Sequence, residues 1–216
     1  MAGNSANSAR VNGNVPGAHA YFARLAKLIP GLPYADIDAI AGVILRTFAE
    51  DRTVFVFGNG GSAASASHAM VDLNKGTIAS GPVRRMKVIA LTDNVPLLTA
   101  WANDASYEQV FSEQLKNFVG KGDVAFAISA SGNSPNVLLA LKTAREHGAI
   151  TVGVAGYHGG KMKQLCDVCA VVPCDHVQMI EDMHHAILHS IFTMVRESLH
   201  SGRPRALTAV AGRFPK

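Results

Sequence analysis

The sequence predicts an α/β protein: a three-layer, doubly wound parallel sheet of five strands flanked by helices, with a helical arm at the N-terminus. Five short apolar runs carry this reading, at residues 53–57, 86–91, 124–129, 150–155 and 168–172. Each is too short for an ordinary helix, and such near-continuous apolar runs are what a parallel sheet buried on both faces requires. The segments between the first four runs are long enough for helical crossovers, and the last pair is joined by a shorter one. Composition agrees. The chain has 216 residues, 48% apolar and 17% charged, which suits one large domain with a sizeable core and excludes a disordered chain or a coiled coil.

Residues 1–18 read as a flexible leader rich in Asn, Gly and Ser, with no apolar stretch to act as an export signal. Helical spacing follows over 19–29 and 34–51, split by Pro30-Gly31-Leu32-Pro33. The second segment places Ile37, Ile40, Ala41, Ile44, Leu45 and Phe48 on one stripe. After the first strand, crossover helices are expected over 62–74, 107–118 and 136–147, a short one at most over 161–166, and a last helix over 177–199. One domain is expected over 19–200, followed by a basic tail over 201–216. Arg84, Arg85, Lys87 and the tail's Arg203, Arg205, Arg213 and Lys216 account for much of the net charge of +4, too mild and too spread for a nucleic-acid surface. Without a run of 18 apolar residues no membrane span is expected. Three cysteines and no export signal point to a reducing cytosol. The CxxC spacing of Cys166 and Cys169 enters a strand and reads as buried thiols.

Ligands of open parallel sheets bind past the carboxyl ends of the strands. The first strand there runs into Gly58-Asn59-Gly60-Gly61-Ser62, which reads either as a tight turn or as backbone amides aimed at an anion. The third ends in Ser129-Ala130-Ser131-Gly132-Asn133-Ser134-Pro135-Asn136. Capping explains Ser134 before a proline, but not the convergence of Ser129, Ser131 and the glycine, which suits a phosphate monoester.

Together with Ala63-Ala64 after the first loop, these two segments resemble the signatures of the sugar isomerase (SIS) domain and, within it, the phosphoheptose isomerases; the resemblance runs over about residues 19–199. It implies an isomerase that converts sedoheptulose 7-phosphate to a heptose 7-phosphate, binding phosphate through Asn59, Gly60, Gly61, Ser62, Ser129, Ala130, Ser131 and Ser134. It also implies substrate contacts at Asn103 and Asp104, which could equally cap a helix beginning near Ser106, and assembly as a homotetramer with shared sites. Asp93 and Asn94 also sit at the ligand edge, where Pro96 favours a plain turn.

His68 and Asp72, four apart, share a helix face, and Glu181, His185 and His189 recur at steps of four on the last helix. A second stripe there, Ile180, Met183, Ile187, Ile191 and Met194, reads as a packing seam. Four of the nine histidines are His68 and those of this segment, with His184 and His185 both nearer a structural role, although His185 shares the stripe and stays open as a competing ligand. The resemblance implies that His68, Asp72, Glu181 and His189 hold a zinc, that Asp72 and His189 are the acid/base pair, and that Asp72 and Glu181 touch substrate. The chain departs from the family in having Asp72 for Glu, Glu181 for Gln and Ala130 for Thr. Those departures keep two other readings open: a non-catalytic module that senses a phosphosugar or binds a protein, and an isomerase for another phosphosugar.

Overall fold

The computed structural model describes residues 17–78 and 84–201. The expected leader and tail lie outside these residues except at their inner ends. Strands β1 (Thr53–Gly58), β2 (Lys87–Ala90), β3 (Val124–Ser129), β4 (Ile150–Ala155) and β5 (Val168–Val171) form one parallel sheet in the order β2-β1-β3-β4-β5. The order reverses between β1 and β3, which pair with Gly58 opposite Ile128. The loops leaving these two strands therefore emerge side by side, at the place where doubly wound sheets hold ligands.

Successive strand residues point to opposite faces and build two cores. Val54, Val56, Val124, Phe126 and Ile128 pack under α1 (Ala18–Leu28), α2 (Tyr34–Ala49), α3 (Gly61–Val71) and α8 (Val177–His200). Phe55, Phe57, Ala125 and Ala127 pack under α4 (Val95–Asp104), α5 (Ser112–Phe118), α6 (Pro135–Glu146) and α7 (Met162–Leu165). Each fully buried Val or Phe contributes about 1.5–3 kcal/mol of hydrophobic stabilisation. Pro30 and Gly31 sit in a single 3-10 turn between α1 and α2, and α2 buries Ile37, Ile40, Ala41 and Ile44 against the core it shares with α8. No single described helix is long and apolar enough to cross a membrane.

The structure corrects several expectations. The run 86–91 is buried on one face only: β2 is an edge strand, and Ile89 is 41% exposed. The crossover from β2 to β3 holds two helices, not one. Asn94 begins α4 by accepting from the Leu97 N–H at 3.1 Å, with Pro96 in the first turn, so these residues start a helix where a plain turn was expected. The segment expected as one helix over 107–118 splits into a 3-10 turn, Tyr107–Gln109, and α5. The helix expected over 62–74 ends at Val71 and widens into a π turn, Asp72–Gly76. Cys169 and Cys174 are buried, but Cys166 is only half-buried.

Candidate functional site

The loops after β1 and β3 enclose a cavity of about 220 Å³, lined by Asn59, Ser62, Ser129, Ala130, Ser131, Ser134, Tyr157, Val177 and Glu181. Glycines shape both loops. Gly60 has φ +56° directly before α3. Gly132 has φ +63°, and a Cβ there would lie 2.2 Å from the Gly159 carbonyl oxygen, so only glycine fits. Ser129 Oγ accepts from the Gly132 N–H at 3.1 Å, and Ser131 Oγ accepts from the Asn133 N–H at 3.2 Å. Both hydroxyls keep their protons for another acceptor. Ser134 precedes α6 but makes no side-chain capping bond, so capping does not use its hydroxyl. Hydroxyl donors at the N-terminal ends of α3 and α6 thus line one small space, the chemistry of an anion site without a cationic side chain.

The second cluster lies along α3 and α8. His68 Nε2 stands 3.3 Å and His189 Nε2 3.7 Å from Asp72 Oδ2, and the two Nε2 atoms are 3.0 Å apart. Asp72 opens the π turn, a distortion often found at functional sites. Its side chain is 21% exposed between imidazoles that are 47% and 50% exposed, so the carboxylate is sheltered while the rings reach solvent. Two imidazole nitrogens this close need a proton or a cation between them. His185 joins the group: its ring and those of His68 and His189 offer donor atoms all within 4.8 Å of one another. Burial, followed by the neighbouring charges of His68 and His189, holds the His185 imidazole below its ordinary value. His184 turns the other way on α8 and is buried, which pushes its imidazole down to about 4 and keeps it neutral near pH 7.

These donors fit zinc. Imidazole nitrogen and carboxylate oxygen bind it at about 2.0–2.2 Å, so neighbouring donors of a tetrahedral site stand about 3.3–3.6 Å apart. The separations of 3.0, 3.3 and 3.7 Å among His68, Asp72 and His189 bracket that spacing.

A family model for the SIS domain matches residues 20–156. The phosphoheptose isomerase of Rhodospirillum rubrum is 38% identical over 181 residues, covering 83% of this chain and 92% of that protein. That of Akkermansia muciniphila is 36% identical over 167 residues, covering 77% and 87%. The chain belongs to the phosphoheptose isomerase family of SIS-domain proteins. Its fold matches the phosphoheptose isomerase structure from Neisseria gonorrhoeae with a TM-score of 0.75 at 30% identity, over 82% of this chain and 95% of that one.

Within this phosphoheptose isomerase fold, the residues singled out from the sequence fall into three places. Asn59, Ser62, Ser129, Ala130, Ser131, Ser134 and Glu181 line the cavity, with Gly60 and Gly61 in the loop beside it. His68, Asp72 and His189 meet in the second cluster. Glu181 instead lies against Gly61, where an added Cβ would stand 2.8 Å from its Oε1. Asn103 and Asp104 form the C-terminal end of α4 and bond to each other at 2.8 Å, and neither lines the cavity. They end one helix and do not begin the next. Asp93 Oδ1 accepts from the hydroxyls of Ser67 and Thr92 beside α3.

Three contributors escaped the sequence reading. Asn136 pairs reciprocally with Asn59, each amide donating to the other's oxygen at 2.9 Å, and so ties the two loops together. Tyr107 adds a hydroxyl donor to Asn59 Oδ1 at 3.0 Å. Tyr157, with φ +50°, forms a wall of the cavity. Asn136 and Tyr157 had a usable signal, since both follow strands on the ligand side of the sheet; Tyr107 had none.

Proposed function

We propose that the chain is an aldose–ketose isomerase for phosphosugars, with sedoheptulose 7-phosphate and D-glycero-D-manno-heptose 7-phosphate as its pair, acting in the cytosol as a homotetramer. One observation carries the reading. A small pocket lined by serine hydroxyls at two helix N-termini shares α3 and α8 with a sheltered carboxylate set between two imidazoles. Family membership supports the substrate class.

Ser62, Ser129, Ser131 and Ser134 hold the phosphate, and Asn59 keeps their loops in register through Asn136. Binding energy from this remote group then orients the carbonyl end of the sugar. Asp72 takes the proton from the carbon beside the carbonyl and returns it to the neighbouring carbon, giving an enediol between the two steps. His189 moves the proton between the two oxygens. The imidazoles of His68 and His189 would hold a zinc beside Asp72, and zinc would act as a Lewis acid on the sugar oxygens. The exposed apolar side of α4, with Val95 60% exposed and no residue of the helix buried, supports self-association.

The test is turnover of sedoheptulose 7-phosphate by zinc-loaded and chelated protein side by side. Zinc-dependent turnover is expected. Folded protein inactive in both states overturns the heptose assignment; a panel of pentose and hexose phosphates then separates another isomerase from a phosphosugar-sensing module. Sized at micromolar concentration, the same protein is expected as a tetramer, and a monomer with full turnover overturns the assembly.

A further inference from the structure

We propose that the metal site of this chain is built on three imidazoles, His68, His185 and His189, and that Glu181 is not one of its ligands. The inference deepens the metal-assisted reading above and rests on it only for the role of the metal.

The two helices form a ladder. Glu181 lies against Gly61, His185 Nδ1 meets Ser65 Oγ at 3.1 Å, and His189 meets His68 and Asp72. Gly61 and His68 are seven residues apart on α3, about 10 Å along the axis at 1.5 Å per residue. The Glu181 carboxylate therefore sits about two turns from the level of His68. There it lies at the N-terminal end of α3 and lines the serine cavity.

His185 occupies the rung between, and its tautomer follows from its partner. Ser65 Oγ lies 3.1 Å from both the Gly61 carbonyl oxygen and His185 Nδ1, and in the arrangement we propose its proton goes to the carbonyl while its oxygen accepts from His185. Nδ1 then carries the ring proton, and the lone pair is left on Nε2. Metal-binding histidines are held in this way, by a hydrogen bond from the second ring nitrogen. The three rings meet with centroids 5.0, 5.1 and 5.5 Å apart, and their donor atoms lie within 4.8 Å of one another.

The chemistry favours this set. Three neutral imidazoles are a donor set found at catalytic zinc, with one position left for an oxygen. Asp72 Oδ2, 3.3 and 3.7 Å from two of the nitrogens, borders that position. Ligation by both Asp72 and Glu181 would place two anions on the metal and weaken it as a Lewis acid.

The test measures zinc affinity of the full chain by competition with a chromophoric chelator, together with the visible absorption of the cobalt-substituted protein. His185→Gln is expected to weaken zinc binding a hundredfold or more and to change the cobalt spectrum. Ser65→Ala, which keeps the imidazole but removes its acceptor, is expected to weaken zinc about tenfold. Glu181→Gln is expected to stay within about twofold of wild type, with an unaltered cobalt spectrum. If Glu181→Gln carries the large loss, if both Ser65→Ala and His185→Gln bind as wild type does, or if the wild-type chain takes up no zinc, the proposal is overturned. Ser65→Ala keeps the test decisive should His185→Gln fail to fold. Turnover is read separately, so a chain that binds zinc in this way but isomerises no phosphosugar leaves the site standing and overturns the isomerase reading.

Discussion

The serine pocket and the histidine cluster share α3 and α8, yet they are made by different means. The pocket is made by the chain's backbone path: two strand-to-helix loops, glycines at positive φ, and hydroxyls braced on neighbouring amides. Ser62 and Ser129 are each 5% exposed, so the donors are fixed before any ligand arrives. The cluster is made of side chains reaching between helices, with His68 and His189 about half exposed and in contact with one another, with Asp72 and with the His185 ring. A rigid pocket is suited to holding a group that does not react. A cluster of half-exposed rings around a sheltered carboxylate is suited to moving protons. The difference is in keeping with the proposed division, binding in the first region and chemistry in the second.

The largest effect that would break this division is at Asp72. Asp72→Asn keeps the shape but removes the proposed base, and a positioned acid or base is worth about 10²–10⁴ in rate. We expect kcat to fall by that factor while the affinity for phosphosugar, read by calorimetry with the same ligand, changes little. A variant that binds weakly but turns over normally would place Asp72 in the binding region and collapse the distinction.

The same contrast explains how much was legible in the sequence. The pocket could be read because each of its loops is contiguous: Gly58 to Ser62 and Ser129 to Asn136 each carry their own geometry. The cluster could be read only by halves. Spacing places His68 and Asp72 on one face and Glu181, His185 and His189 on another, but 121 residues separate His68 from His189. How α3 rotates against α8 depends on tertiary packing, so spacing alone left Glu181 and His185 as rival partners. Local chemistry misled elsewhere for a similar reason. Asn94 and Pro96 suit a turn and a helix start equally, and packing of Leu98 and Trp101 on the second core favours the helix. The sequence equally gives no sign that α3 widens into a π turn at Asp72, because the same residues would continue an ordinary helix.

A smaller effect sharpens the division from the other side. Ser134 is the pocket hydroxyl whose local role was most in question, since a serine before Pro135 is an ordinary helix cap. It makes no side-chain capping bond, so its removal should leave α6 intact. A hydrogen bond to a charged group contributes about 1.5–3 kcal/mol, which corresponds to about a ten- to hundredfold change in binding. Ser134→Ala should therefore raise KM for the phosphosugar by that factor with kcat nearly unchanged, and thermal melting of the free protein should match wild type. The unphosphorylated sugar provides the control: its weak binding should be the same in both proteins if, as proposed, this hydroxyl serves the phosphate. A drop in melting temperature with no change in KM would make Ser134 a cap after all, and the pocket would lose one of the donors on which its reading as a phosphate site depends.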